Sequence, residues 1–198
     1  MVRTGTQQAT ADHTPALSAL GLAVSMGVPV ALLVVGLFTY GPGAVSWPGV
    51  VVWGLVATAV FTLFMLMGGA MGMSRLDILD LLGSTVAEPG TSRARLTGAA
   101  IHHVNGVVLA AAWVYTTLLV GVQATWATGL WWGLILTALA LIMLSSVGTV
   151  HPAMRRGREG DPGAGALNFG SMTPAGSLMG HLVYGLVLGL GYQFLPLG

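Results

Sequence analysis

Histidine is the residue through which this chain could do chemistry. It occurs at His13, His102, His103, His151 and His181, and with no cysteine present the only other ligating groups are carboxylates and thioethers. Imidazole changes charge near neutral pH, ligates transition metals and serves as an axial ligand to haem iron. Three uses follow. A metal site would draw on His102, His181 and His151, with Asp77 as a carboxylate ligand or as the group that orients an imidazole. A b-type haem would need His102 and His181 at equal depth on facing helices, with arginines for its propionates. A proton, ion or small-solute path would use the same side chains as titrating groups. Against these stands a purely architectural use, in which Asp77, His102, Asn105, His181 and Tyr184 form a polar cluster of interhelical hydrogen bonds, each contributing about 1 kcal/mol. His13, in a polar tail, is expected to be solvated.

Spacing narrows the field. No helix carries a His-x-x-x-His or Glu-x-x-His pair, and there is no Gly-x-Ser-x-Gly, no His-Glu-x-x-His and no pair of carboxylates within an apolar stretch, so hydrolytic catalysis finds no support. The glycine-rich run Gly157 to Gly165 lacks the Gly-Lys-Ser/Thr ending of a phosphate loop and reads as a connector. Ten methionines suggest soft-metal binding, yet Met65, Met67, Met71 and Met73 do not share one helical stripe, so adaptable packing is the better use for them.

The elements that must position these side chains are membrane helices. Only 7% of residues are charged against roughly 25% in a soluble domain, while 55% are hydrophobic and 30 are glycine. This balance excludes a water-soluble globular enzyme and fits a polytopic all-α membrane protein whose helices pack through small residues. A span needs about 20 apolar residues. Five stretches free of charge meet that length: Leu17 to Tyr40, Trp47 to Met73, Gly98 to Val122, Trp126 to Val150 and Gly176 to Leu195. Residues 1–16 form a polar cytoplasmic segment and 17–198 one transmembrane domain. The first span is too long for the core of a signal peptide, usually about 7 to 15 residues.

Local signals support these limits. Thr14-Pro15 and Thr173-Pro174 each place a hydroxyl before a proline at a helix start, and His151-Pro152 is expected to close the fourth helix. Ser74-Arg-Leu-Asp77 reads as a capping box opening a short interfacial helix that ends at Gly83, with Leu76, Leu79 and Leu82 toward the membrane. Pro29 should kink or loosen the first helix.

All seven basic residues are arginines, at Arg3, Arg75, Arg93, Arg95, Arg155, Arg156 and Arg158. With five spans, every one of them falls on the same side as the N-terminus. The positive-inside rule then makes the N-terminus cytoplasmic and the C-terminus exterior, with Tyr40, Trp47, Trp126 and Tyr192 near the outer interface. The net charge of +1 gives no reason to expect a nucleic-acid partner. The partners to expect are the lipid bilayer and, beyond it, a homo-oligomer or a larger membrane complex to which the first helix would dock.

His102 and His181 lie about 6 to 8 Å inside these helix starts. Polar groups at one depth in a membrane pair with each other or face water. Gly106 and Ala110 on one helix, and Gly176, Gly180, Gly185 and Gly189 on the other, mark close-packing faces. Spans three and five are therefore expected to approach each other near the two histidines.

The segments Met71 to Ser84 (MGMSRLDILDLLGS), Ile101 to Gly106 (IHHVNG) and Gly176 to Gly189 (GSLMGHLVYGLVLG) together resemble an uncharacterised family of small bacterial multi-helix inner-membrane proteins, a domain of unknown function. The resemblance covers roughly residues 50–195. It implies a bacterial inner-membrane location and a four-helix core with an added N-terminal helix. It matches Asp77, Gly83, His102, Gly106, Gly180, His181, Tyr184 and Gly185 to the family's recurring positions, whereas His103 stands where an apolar or aromatic residue is expected. It implies no activity. The expectation is thus a non-enzymatic membrane protein with a His/Asp cluster at its cytoplasmic end, serving ion or small-solute handling or assembly with a partner; the alternative is a redox subunit holding b-type haem or a metal.

Overall fold

A computed structural model describes residues 15–197. They form seven α-helices, α1 (Pro15–Tyr40), α2 (Trp47–Ala70), α3 (Ile78–Gly83), α4 (Ser92–Val120), α5 (Trp126–Val147), α6 (Pro152–Arg155) and α7 (Thr173–Phe194), with no strand among the described residues. Five of them, α1, α2, α4, α5 and α7, are long and apolar enough to cross a membrane. Thr14 and His13 lie outside the described residues.

Side-chain caps start three of the long helices by accepting orphan backbone N–H groups. Ser46 Oγ accepts from Gly49 N–H, Thr91 from Ala94, and Thr125 exchanges hydrogen bonds with Thr128. α4 ends at Gly121, whose left-handed backbone (φ 71°) lets its N–H turn back to the carbonyls of Leu118 and Thr117.

Several boundaries differ from the hydropathy reading because a helix and an apolar span are different things. α4 starts at Ser92, not Gly98, since the Thr91 cap and packing on α3 continue the helix through its arginines. A Cβ at Gly83 would strike the carbonyl of Ala94, and one at Gly98 that of Leu79, so α3 and the first turns of α4 touch backbone to backbone. α5 stops at Val147, and His151 does not end it but precedes α6. Thr173 is the first residue of α7 rather than its cap, and its hydroxyl instead hydrogen-bonds Ser74 Oγ at 2.8 Å. Asp77, not Ser74, caps α3: its Oδ1 accepts from the N–H groups of Leu79 and Asp80, both at 3.1 Å. The helix ends at Gly83 as its sequence indicates.

The five long helices close a ring in the order α1, α4, α2, α7, α5, each packed against the next and α5 against α1. α1 is the least buried of them, in keeping with an added helix, but it also completes the ring. It crosses the gap between α4 and α5 diagonally. Near its N-terminal end Gly21 lies against Ser146 and Ile142 of α5. Near its C-terminal end Gly36 lies against Tyr115 of α4, Tyr40 Oη donates to the Leu118 carbonyl at 2.9 Å, and Tyr115 Oη donates to the Gly41 carbonyl at 3.0 Å.

Spans three and five, α4 and α7, do not approach backbone to backbone, contrary to expectation, and meet only through long side chains such as the Trp113–Tyr192 ring pair, 5.7 Å between centroids. Their small residues face other neighbours: Gly106 meets Thr58 of α2, Gly180 meets Phe61 of α2, and Gly129 and Gly133 of α5 meet the carbonyls of Gly185 and His181. Small-residue rows identify close-packing faces but not the helix each face meets. α2 lies between α4 and α7 on one side, and the two are joined across the ring by Tyr184 Oη, which donates to the Gly106 carbonyl at 2.6 Å.

Candidate functional site

The half of the bundle away from the arginines is a solid apolar plug built on Val50, Ala110 to Ala112, Trp113, Trp132 and Leu188, all buried. Ser46 and Trp53 hydrogen-bond the C-terminal backbone over its end. The arginine-bearing half encloses a cavity of about 210 Å³, to which α1 through α5 and α7 all contribute. α3 lies across its lower end, with Leu76, Ile78 and Leu82 turned into the cavity rather than toward the bilayer.

His102 and His181 both line this cavity. They stand about 15 Å and about 12 Å along α4 and α7 at 1.5 Å per residue, farther from the helix starts than expected because both helices start earlier. Each ring packs on Phe61, with centroids 5.4 Å and 4.9 Å away. His181 Nδ1 donates to the Ser177 carbonyl at 2.8 Å, so its neutral form carries a bare Nε2 lone pair. His102 makes no hydrogen bond among the described residues, and its Nε2 is buried without a partner. Such an omission costs about 1–3 kcal/mol, an amount a ligand that completed the bond would recover.

The rest of the predicted polar set divides. Asn105 lines the cavity at its exposed rim. Tyr184 is buried and committed to Gly106. His103 turns away and donates locally to the Ala99 carbonyl at 2.8 Å. Asp77 lies outside the cavity lining, capping α3 and pairing with Arg95 at 3.0 Å. His151 is also elsewhere: its Nε2 donates to the Leu81 carbonyl at 3.0 Å, and its Nδ1 is 3.8 Å from Glu159 Oε2, which accepts from Ser84 Oγ at 2.8 Å.

The four-residue metal set therefore does not assemble, and no group of three or more His, Asp or Glu side chains converges among the described residues. The reason is that loop folding claims the carboxylates. Asp80 accepts from Gly90 N–H, Glu88 pairs with Arg158 at 2.7 Å, and Asp161 accepts from Gly163 N–H. For a tetrapyrrole the cavity is too small, since even drug-sized ligands occupy pockets of about 300–1,000 Å³.

Sequence reasoning missed Phe61, Met65, Ser177 and the contribution of α1, which is Ser25, Met26, Pro29 and Val30. Two of these carried a signal. Ser177 precedes His181 by one helical turn, and Pro29, buried in mid-span, withholds the N–H that would otherwise bond the Ser25 carbonyl. Phe61 carried none.

Comparison with protein-family models, with curated proteins and with solved structures finds no match. The resemblance over residues 50–195 rests on its three segments alone.

Proposed function

We propose that this is a multi-pass protein of the bacterial inner membrane, N-terminus cytoplasmic and C-terminus exterior, that binds a small solute in a blind intramembrane cavity using His102 and His181. The observation that carries the reading is the pair of imidazoles, one on α4 and one on α7, lining one cavity, with His102 Nε2 buried without a partner and His181 committed through Nδ1 alone. Buried polar groups in a membrane protein are costly and mark function by default. The orientation is supported by the arginines, none of which lies at the plugged end among the described residues.

Binding is favoured over passage because beyond the histidines the buried hydroxyls of Thr58, Thr137 and Tyr184 are each committed to a backbone carbonyl, and the indole groups Trp113 and Trp132 are fully packed. The reading is tested with ¹⁵N-labelled histidine in lipid nanodiscs, screened against a fragment set containing neutral, anionic, cationic and metal-ion members. At least one class should shift the His102 and His181 ring resonances while leaving His151 unmoved. If no class shifts them, the cavity is merely a packing defect.

A further inference from the structure

The cavity has a side door. Of the residues that line it, only Met26, Val30 and Asn105 are exposed, and they belong to α1 and α4 alone. The diagonal course of α1 explains this: fastened to α4 through Gly36, Tyr40 and Tyr115 but to α5 at Gly21, it leaves α4 uncovered at the level of Asn105. The other routes are blocked. The plug closes one end, and α3 with its loops closes the other, where Arg75 donates to the Asn168 carbonyl at 2.7 Å and Ser74 meets Thr173.

An opening between two membrane helices faces lipid, so what enters is dissolved in the bilayer. Size and polarity narrow it further. An apolar cavity of about 150 Å³ accommodates benzene, so about 210 Å³ suits one substituted six-membered ring, and Phe61 offers it an aromatic contact. Beside the amide of Asn105 and the hydroxyl of Ser177, the lining carries acceptors. They are His181 Nε2, whose ring has committed its Nδ1–H to Ser177, and the Ser25 carbonyl, deprived of its helical donor by Pro29. His102 can present either a donor or an acceptor. A ligand with a hydroxyl to donate would satisfy them.

We infer that the cavity takes the hydroxylated ring of a membrane-dissolved phenol or hydroquinone, which enters between α1 and α4 with any alkyl tail left in the lipid. This rests on the binding role proposed for His102 and His181 and adds to it a ligand class and a route. The test uses the full chain in nanodiscs and ¹⁹F NMR of a fluorinated 4-propylphenol, with its methyl ether as the control that cannot donate. The phenol should bind at least tenfold more tightly than the ether, and His181→Leu should abolish that preference. Val30→Trp, at the exposed rim, should slow ligand exchange at least tenfold while changing Kd less than threefold; Met26→Trp repeats the measurement should Val30→Trp fail to fold.

Equal binding of phenol and ether would overturn the ligand class, and unchanged exchange in both rim variants would overturn the route. If phenols fail to bind while another fragment class shifts the histidine resonances, the inference falls and the binding role stands. If no fragment shifts them, both fall.

Discussion

Two imidazole environments lie at the arginine-bearing end of this protein and are treated in opposite ways. His151 is enclosed by protein: Nε2 holds the Leu81 carbonyl at the end of α3, and Nδ1 faces the Glu159 carboxylate, itself held by Ser84. It staples the 151–172 loop to the 74–91 loop. His102 and His181 are less buried than His151 and open onto empty volume, with His102 Nε2 lacking a partner. An imidazole enclosed by protein groups works as an architectural part, whereas one facing a cavity leaves a ring nitrogen available to a ligand. Histidine content alone does not separate the two.

That contrast can be broken by mutation. The largest loss should come from His151→Ala, which strips the Leu81 carbonyl of its donor and leaves a cavity; we expect a destabilisation of about 2–4 kcal/mol in reversible unfolding from mixed micelles. Glu159→Gln keeps the shape and removes the charge facing His151, for a loss of about 1 kcal/mol by the same measurement. His102→Leu should be within about 1 kcal/mol of neutral or slightly stabilising, because it removes a group that has no partner to lose, while ligand-induced shifts at His181 weaken. A large destabilisation by His102→Leu would place it with His151 and dissolve the distinction. The smallest effect belongs to Arg158→Ala. Its pair with Glu88 is exposed on both sides and should contribute under about 1 kcal/mol, vanishing as salt is raised in thermal melts.

Much of the fold was legible in the sequence. Length and charge depletion specify five spans, and Asp77 to Gly83 announces the short helix α3. The site was legible only in part. His102, Asn105 and His181 do share one cavity, whereas Tyr184 bonds the Gly106 carbonyl instead of another side chain of the expected cluster. Asp77 and His151 could be grouped with them only by assuming that side chains near one membrane face converge. They do not, because α3 lies between: Asp77 caps it on one side and His151 binds its Leu81 carbonyl on another. Nothing in the local sequence marks Phe61, whose role comes wholly from which helices flank α2.

The sequence by itself determined which segments enter the membrane, which end carries the positive charge and which helix faces approach closely, because hydropathy, charge and side-chain size act residue by residue. The tertiary structure alone decided which faces meet. Gly106 and Gly185 suit any close neighbour, and only the circular order of five helices sends one to α2 and the other to α5. It also decided that α1 would cross at an angle, leaving two histidines beside a cavity rather than packed against each other. Such choices depend on the sum of many weak contacts between distant segments, and no single residue's chemistry carries them.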